Sequence, residues 1–133
     1  MMKGVAAKIT GGLTNHTRIK CDDNSGAKLL KIIAKEGYRG RRGRIPAIGV
    51  GDIFFASVVD GKAEMRKKIV RATVVRQRKE YRRATGERIA FEDNASVLLN
   101  DKNEPVATEI KGVVAKEVAE RFPKVATIAK NVI

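Results

Sequence analysis

Four arginines and two glycines are interleaved in Tyr38-Arg39-Gly40-Arg41-Arg42-Gly43-Arg44. A guanidinium is a planar fork that matches phosphate oxygens two at a time. Glycine lets the backbone come close to a phosphate strand. The chemistry this spacing suits is anion binding; the alternative is a solvated loop. A second constellation is longer: Arg66-Lys67-Lys68, then Arg76-Gln77-Arg78-Lys79, then Tyr81-Arg82-Arg83. A strand between these clusters rises ~3.3 Å per residue and would set them roughly 30 Å apart. That span fits several phosphates, not one small ligand. Protecting a sheet edge takes one or two charges, and this run is denser. The residues predicted to bind RNA are therefore Arg39, Arg41, Arg42, Arg44, Arg66, Lys67, Lys68, Arg76, Arg78, Lys79, Tyr81, Arg82 and Arg83.

Other reactive residue types are sparse. His16 stands alone in a polar lead-in. Asp22-Asp23 and Glu92-Asp93-Asn94 read as turn polarity, because adjacent side chains diverge. Asn24-Ser25-Gly26 offers main-chain N–H groups but reads as a plain turn. Cys21 is the only cysteine, which leaves no intrachain disulfide and no cysteine-based zinc site. No P-loop, H-E-x-x-H, G-x-S-x-G or calcium-loop spacing occurs. The sequence thus predicts neither enzyme, metal nor cofactor. Phe54, Phe55, Phe91 and Phe122 fall in apolar runs and are expected in the core. Only Tyr38 and Tyr81 lie among cations, so the stacking platform of a single-strand binder is not expected. Backbone and shape recognition of folded RNA, with little base reading, is the predicted style.

The charge is unevenly placed. The first 83 residues hold 21 Lys/Arg against 7 Asp/Glu, and the last 50 hold 7 against 8. A cationic excess so concentrated repels itself, and a polyanionic partner relieves that repulsion. At 133 residues the chain suits one domain with a real core. No apolar run reaches membrane-spanning length, and the N-terminal apolar run is too short for a signal-peptide core. A cytoplasmic protein that avoids membranes is expected.

The elements that must position the cations are mostly strands. Residues 17–21 alternate polar and apolar, and residues 28–35 follow a turn at 22–26. Residues 1–16 read as a loose lead-in. Five glycines and Pro46 mark 36–51 as a long loop. Residues 52–59 look apolar on both faces, as in a buried strand. Asp60-Gly61 predicts a tight hairpin turn, with 69–75 as the return strand. A turn at Thr85-Gly86 leads to 88–91, and 96–99 is a further strand. Val114, Ala115, Val118, Ala119 and Phe122 then share a helical stripe. Pro123 ends that helix and opens another, with Val125, Ile128 and Ala129 on its apolar side. The prediction is a mainly β protein. It is a small closed five-stranded barrel over about 17–110, with a basic hairpin and two short helices over about 112–131, in a single domain.

The segment Gly86-Glu87-Arg88-Ile89-Ala90-Phe91-Glu92-Asp93-Asn94-Ala95-Ser96-Val97-Leu98-Leu99 resembles the signature of the universal large-subunit ribosomal protein fourteen family. Asp23-Asn24-Ser25-Gly26-Ala27, Gly49-Val50-Gly51-Asp52 and Ala72-Thr73-Val74-Val75-Arg76 support the resemblance in the family's order. Thr73 within an aliphatic run and Thr85 before Gly86 are mild departures. The basic clusters and Phe91-Glu92-Asp93-Asn94-Ala95 resemble the archaeal and eukaryotic branch. The resemblance implies a structural constituent of the large ribosomal subunit that binds large-subunit rRNA. It implies a place at the subunit interface, with a bridge to the small subunit. It also implies contacts with the universal large-subunit protein three, with the protein of the L-twenty-four-e type, and with initiation factor six through the C-terminal region. The near-neutral C-terminal stripe (Val114, Val118, Arg121, Phe122 and Val125) is accordingly expected to meet protein. A free RNA-binding barrel acting as a translation factor is the alternative; such barrels usually display strand aromatics.

Overall fold

A computed structural model describes residues 7–38, 40 and 42–133. Five strands close into a barrel in the order β1 (Arg18–Cys21), β2 (Ala27–Lys35), β3 (Ile53–Gly61), β4 (Ile69–Arg76), β7 (Ala95–Leu99). Closure comes from a parallel pairing of β1 with β7, Lys20 opposite Ala95 and Cys21 opposite Ser96. The short β5 (Tyr81–Arg82) and β6 (Arg88–Ile89) form a separate ribbon around the Thr85-Gly86 turn. The five-stranded closed barrel and the two C-terminal helices follow the sequence expectation.

The barrel interior is filled by period-two alternation. Ile19, Leu30, Ile32, Phe54, Ala56 and Val58 point inward and are buried. Between them Arg18, Lys31, Phe55 and Val59 point outward. So β3 is not apolar on two buried faces as expected. The strands buried on both sides are the end of β4, from Ala72 to Arg76, and all of β7. Phe55, expected in the core, is 37% exposed.

The expected two-residue turn at Asp60-Gly61 is also corrected. Strand β3 runs through Gly61, and residues 62–68 make the connection to β4. Gly61 has φ +145, and a Cβ there would lie 2.4 Å from the Gly26 carbonyl oxygen. Its glycine is required by close approach of β2 and β3, not by chain reversal. The lead-in is packed rather than loose over its described part. Leu13 is buried and exchanges two backbone hydrogen bonds with Ile48, and Lys8 bridges Arg82.

The C-terminal region is a strand–helix–helix–strand unit. β8 (Ile110–Val114) pairs in parallel with β9 (Ala129–Val132), and α1 (Lys116–Arg121) and α2 (Pro123–Ile128) connect them. Neither strand was expected. Val114 ends β8 and Ala115 caps α1, so the apolar stripe begins before the helix does. Pro123 opens α2, where its missing N–H has no partner to lose.

Candidate nucleic-acid interface

The 76–83 segment divides its cations between two directions. Arg76 is 7% exposed. Its Nη2 lies 2.6 Å from Asp22, and its Nε donates to Asp93 at 2.9 Å. Its Nη1 donates to the Val113 carbonyl at 3.0 Å, tying β4 to β8. Burial works against its charge, but the hydrogen bonds it donates to Asp93 and Asp22 outweigh this and raise its pKa further. The same contact lowers Asp93 to about 2, against the opposing effect of burial. Gly112 makes room for this pair, since a Cβ there would sit 2.1 Å from Arg76 Nη1 and 2.3 Å from Asp22 Oδ2.

Tyr81 and Arg83 also turn inward. Tyr81 is fully buried, and its hydroxyl donates to Glu117 of α1 at 2.6 Å. Burial and then Glu117 raise its pKa, so the phenol remains a donor. Arg83 Nε donates to the same Glu117 oxygen at 3.0 Å, and its Nη2 donates to the Ile133 carbonyl at 2.6 Å. The assignment of Arg76, Tyr81 and Arg83 to RNA binding is therefore corrected. Buried Arg76 and Tyr81 have no free face for a phosphate or base, Arg83 is committed to Glu117 and the Ile133 carbonyl, and these three fasten the C-terminal unit to the barrel. Gln77 does a related task. Its Oε1 accepts from Val50 N, and its Nε2 donates to the carbonyls of Thr10 and Lys79, all at 2.8 Å.

The remaining members face outward. Arg78, Lys79 and Arg82 are exposed, with no acidic partner among the described residues. Lys67 and Lys68 are exposed at the opposite end of β4, and Arg66 pairs loosely with exposed Asp60 at 3.7 Å. Arg42 and Arg44 are exposed on a loop closed by the Tyr38 hydroxyl donating to the Arg44 carbonyl at 2.8 Å. Arg39 and Arg41 lie outside the described residues. Sequence reasoning missed Lys8, Arg18, Lys28, Lys31 and Lys62, which are also free of ion pairs among the described residues. The strand alternation around Ile19 and Leu30 was the signal for two of them.

The C-terminal expectation is corrected in part. Val114, Val118, Phe122 and Val125 are all 2% exposed or less and belong to the core. The stripe packs onto the barrel, so no partner reaches it. Arg121 alone of the predicted set is partly exposed, its guanidinium 5.8 Å from the Phe122 ring centre.

Ion pairing sharpens the charge division. Among the described residues up to 83, twelve Lys/Arg have no carboxylate partner, while Glu64 is the only exposed carboxylate without a cation. From 84 onward four free cations (Lys102, Lys111, Lys116, Arg121) face four free carboxylates (Glu87, Glu92, Asp101, Glu120). An excess of that kind meets a polyanion through backbone contacts.

The family model described as ribosomal protein L14p/L23e matches residues 12–133. The large ribosomal subunit protein uL14 of Methanocella arvoryzae is 51% identical over 132 residues, covering 99% of this chain and all of the relative. That of Methanococcus maripaludis is 50% identical over 129 residues, covering 97% and 98%. That of Methanocorpusculum labreanum is 47% identical over 132 residues, covering 99% and 100%. A match over nearly the full length, on a closed barrel carrying unneutralised cations, places this chain in the ribosomal protein L14p/L23e family, in its archaeal-type branch, among structural proteins and not enzymes.

Proposed function

We propose that the protein is a structural constituent of the large ribosomal subunit that binds large-subunit rRNA in the cytoplasm. It lies at the subunit interface and contributes to a bridge to the small subunit. The observation that carries the RNA reading is the unpaired excess: twelve free cations against one exposed free carboxylate among the described residues up to 83. Recognition is by phosphate contact, with Arg42, Arg44, Lys67, Lys68, Arg78, Lys79 and Arg82 among the groups that carry it. The balanced exterior of the C-terminal unit, where Lys116, Glu120 and Arg121 mix signs, suits protein partners. The universal large-subunit protein three, the protein of the L-twenty-four-e type and initiation factor six are the partners assigned.

Sedimentation of a cell lysate tests the reading. The protein is expected to migrate with the large subunit through a moderate salt wash and to leave it as salt rises further. With ~8 phosphates neutralised, log affinity for rRNA should fall against log salt with a slope of roughly −6 to −7. Free migration, or a nearly flat salt response, would overturn it.

A further inference from the structure

On the outer wall of the barrel one aromatic is partly open to solvent among the described residues. Phe55 points out of β3, 37% exposed, and Ile69 on β4 is 71% exposed. The two line an open cleft of about 380 Å³ with Met65, Leu99 and Val106; its charged members are Arg71, paired with Glu36, and Asp101, which has no cation partner among the described residues. That volume lies in the range of small-ligand clefts, ~300–1,000 Å³. Cross-strand register places cations beside it. Arg18 lies opposite Lys31, Lys31 opposite Ser57, and Ser57 opposite Ile69, in one row across the wall. Lys68, exposed, precedes Ile69 in the chain. Directly opposed Arg18 and Lys31 repel each other, and no carboxylate among the described residues pairs with either.

We propose that Phe55 and Ile69 seat one unpaired base of the bound RNA, while Arg18, Lys31 and Lys68 meet the phosphates flanking it. This rests on the RNA-binding reading and extends it from the phosphate backbone to a base. An exposed ring on a barrel strand beside cations is how single-stranded nucleic acid is held, and stacking tolerates any base. A protein side chain is the weaker candidate. The cleft is bordered along the strand row by Arg18 and Lys31 and in the chain by Lys68, unpaired cations that an apolar anchor would leave without a partner, whereas RNA supplies a π-face and negative charge together.

The test uses the full chain with two probes at low salt: an adenine homopolymer of about twelve nucleotides, and an RNA duplex of equal charge. Phe55→Ala should weaken single-strand binding about tenfold or more and leave duplex binding unchanged. Phe55→Leu should lose nearly as much, because it keeps apolar bulk without a ring. Phe55→Trp should retain affinity, with its indole fluorescence quenched by the single strand only. Full single-strand affinity in Phe55→Leu, or no change in Phe55→Ala, overturns the seat. So does ultraviolet crosslinking of residue 55 to protein within the intact large subunit. Duplex binding by the unaltered chain reports separately on the electrostatic reading, and its absence would sink that reading as well.

Discussion

The two cationic ends of the β3–β4 pair look alike in sequence and differ in use. At one end, residues 62–68 put every cation outside, and the single ion pair there, Arg66 with Asp60, joins two side chains more than half exposed. At the other end, residues 76–83 alternate. Arg76 and Arg83 turn inward onto Asp22, Asp93 and Glu117, while Arg78, Lys79 and Arg82 face solvent. The inward pair joins the barrel to the strand–helix–helix–strand unit; the outward set stays open to solvent, as the proposed RNA binding requires. Cationic density along a chain therefore measures neither binding surface nor stability by itself. What divides the two roles is whether a carboxylate waits on the neighbouring element.

The largest effect should come from the buried end. Arg76→Met leaves buried Asp22 with only the exposed Lys20 ammonium 3.9 Å away, and breaking such a buried pair costs about 3–5 kcal/mol. Lys68→Met, at the exposed end, should fall within about 0.5 kcal/mol of the unaltered protein. Chemical denaturation of both variants measures the contrast, and equal losses would erase it. The converse variant replaces Arg78, Lys79 and Arg82 with Ala. Its unfolding midpoint should stay put while its salt slope for rRNA becomes shallower by about 2–3. A drop in stability with an unchanged slope would reverse the roles assigned to the two sets. Gly112→Ala follows with a smaller cost, about 1–3 kcal/mol. The added methyl must push apart the Arg76–Asp22 contact, which both partners hold from buried positions.

The barrel was legible because its inward residues alternate on β1 and in the middle of β2, where Ile19, Leu30 and Ile32 mark one face. Phe55 and Val59 made β3 look buried on both sides, yet the strand wrapped by other elements is β7. The C-terminal strands were illegible for another reason. Gly112-Val113-Val114 runs straight into a helix, and an apolar stripe shared by strand end and helix has no period that separates them. The inward turn of Arg76, Tyr81 and Arg83 depends on Asp22 and Glu117, dozens of residues away in the chain. No local pattern carries that information. The acidic pair at 22–23 looks like turn polarity in sequence for the same reason, although both residues are buried.

Acid should loosen the two ends unequally. Asp93 is held at about 2, first by its hydrogen bond from Arg76. A depressed carboxylate contributes stability above its ordinary value, near 4, and loses it as pH falls through the folded value. The window is therefore roughly pH 4 to 2. Asp93 is 38% exposed at its side chain, so screening holds the contribution to about 1 kcal/mol or less. The stability difference between the unaltered protein and Asp93→Asn should shrink across that window. Amide exchange localises the effect. Ala115 N–H, which donates to the Val75 carbonyl at 3.0 Å beside the Arg76 network, should exchange faster as pH falls, after correction for intrinsic rate. Lys67 N–H, which donates to the Val58 carbonyl at 3.0 Å at the other end, should respond less, because its nearby ion pair is exposed and contributes little at any pH. Faster acid opening at Lys67 than at Ala115 would mean that the buried network does not hold the C-terminal unit to the barrel.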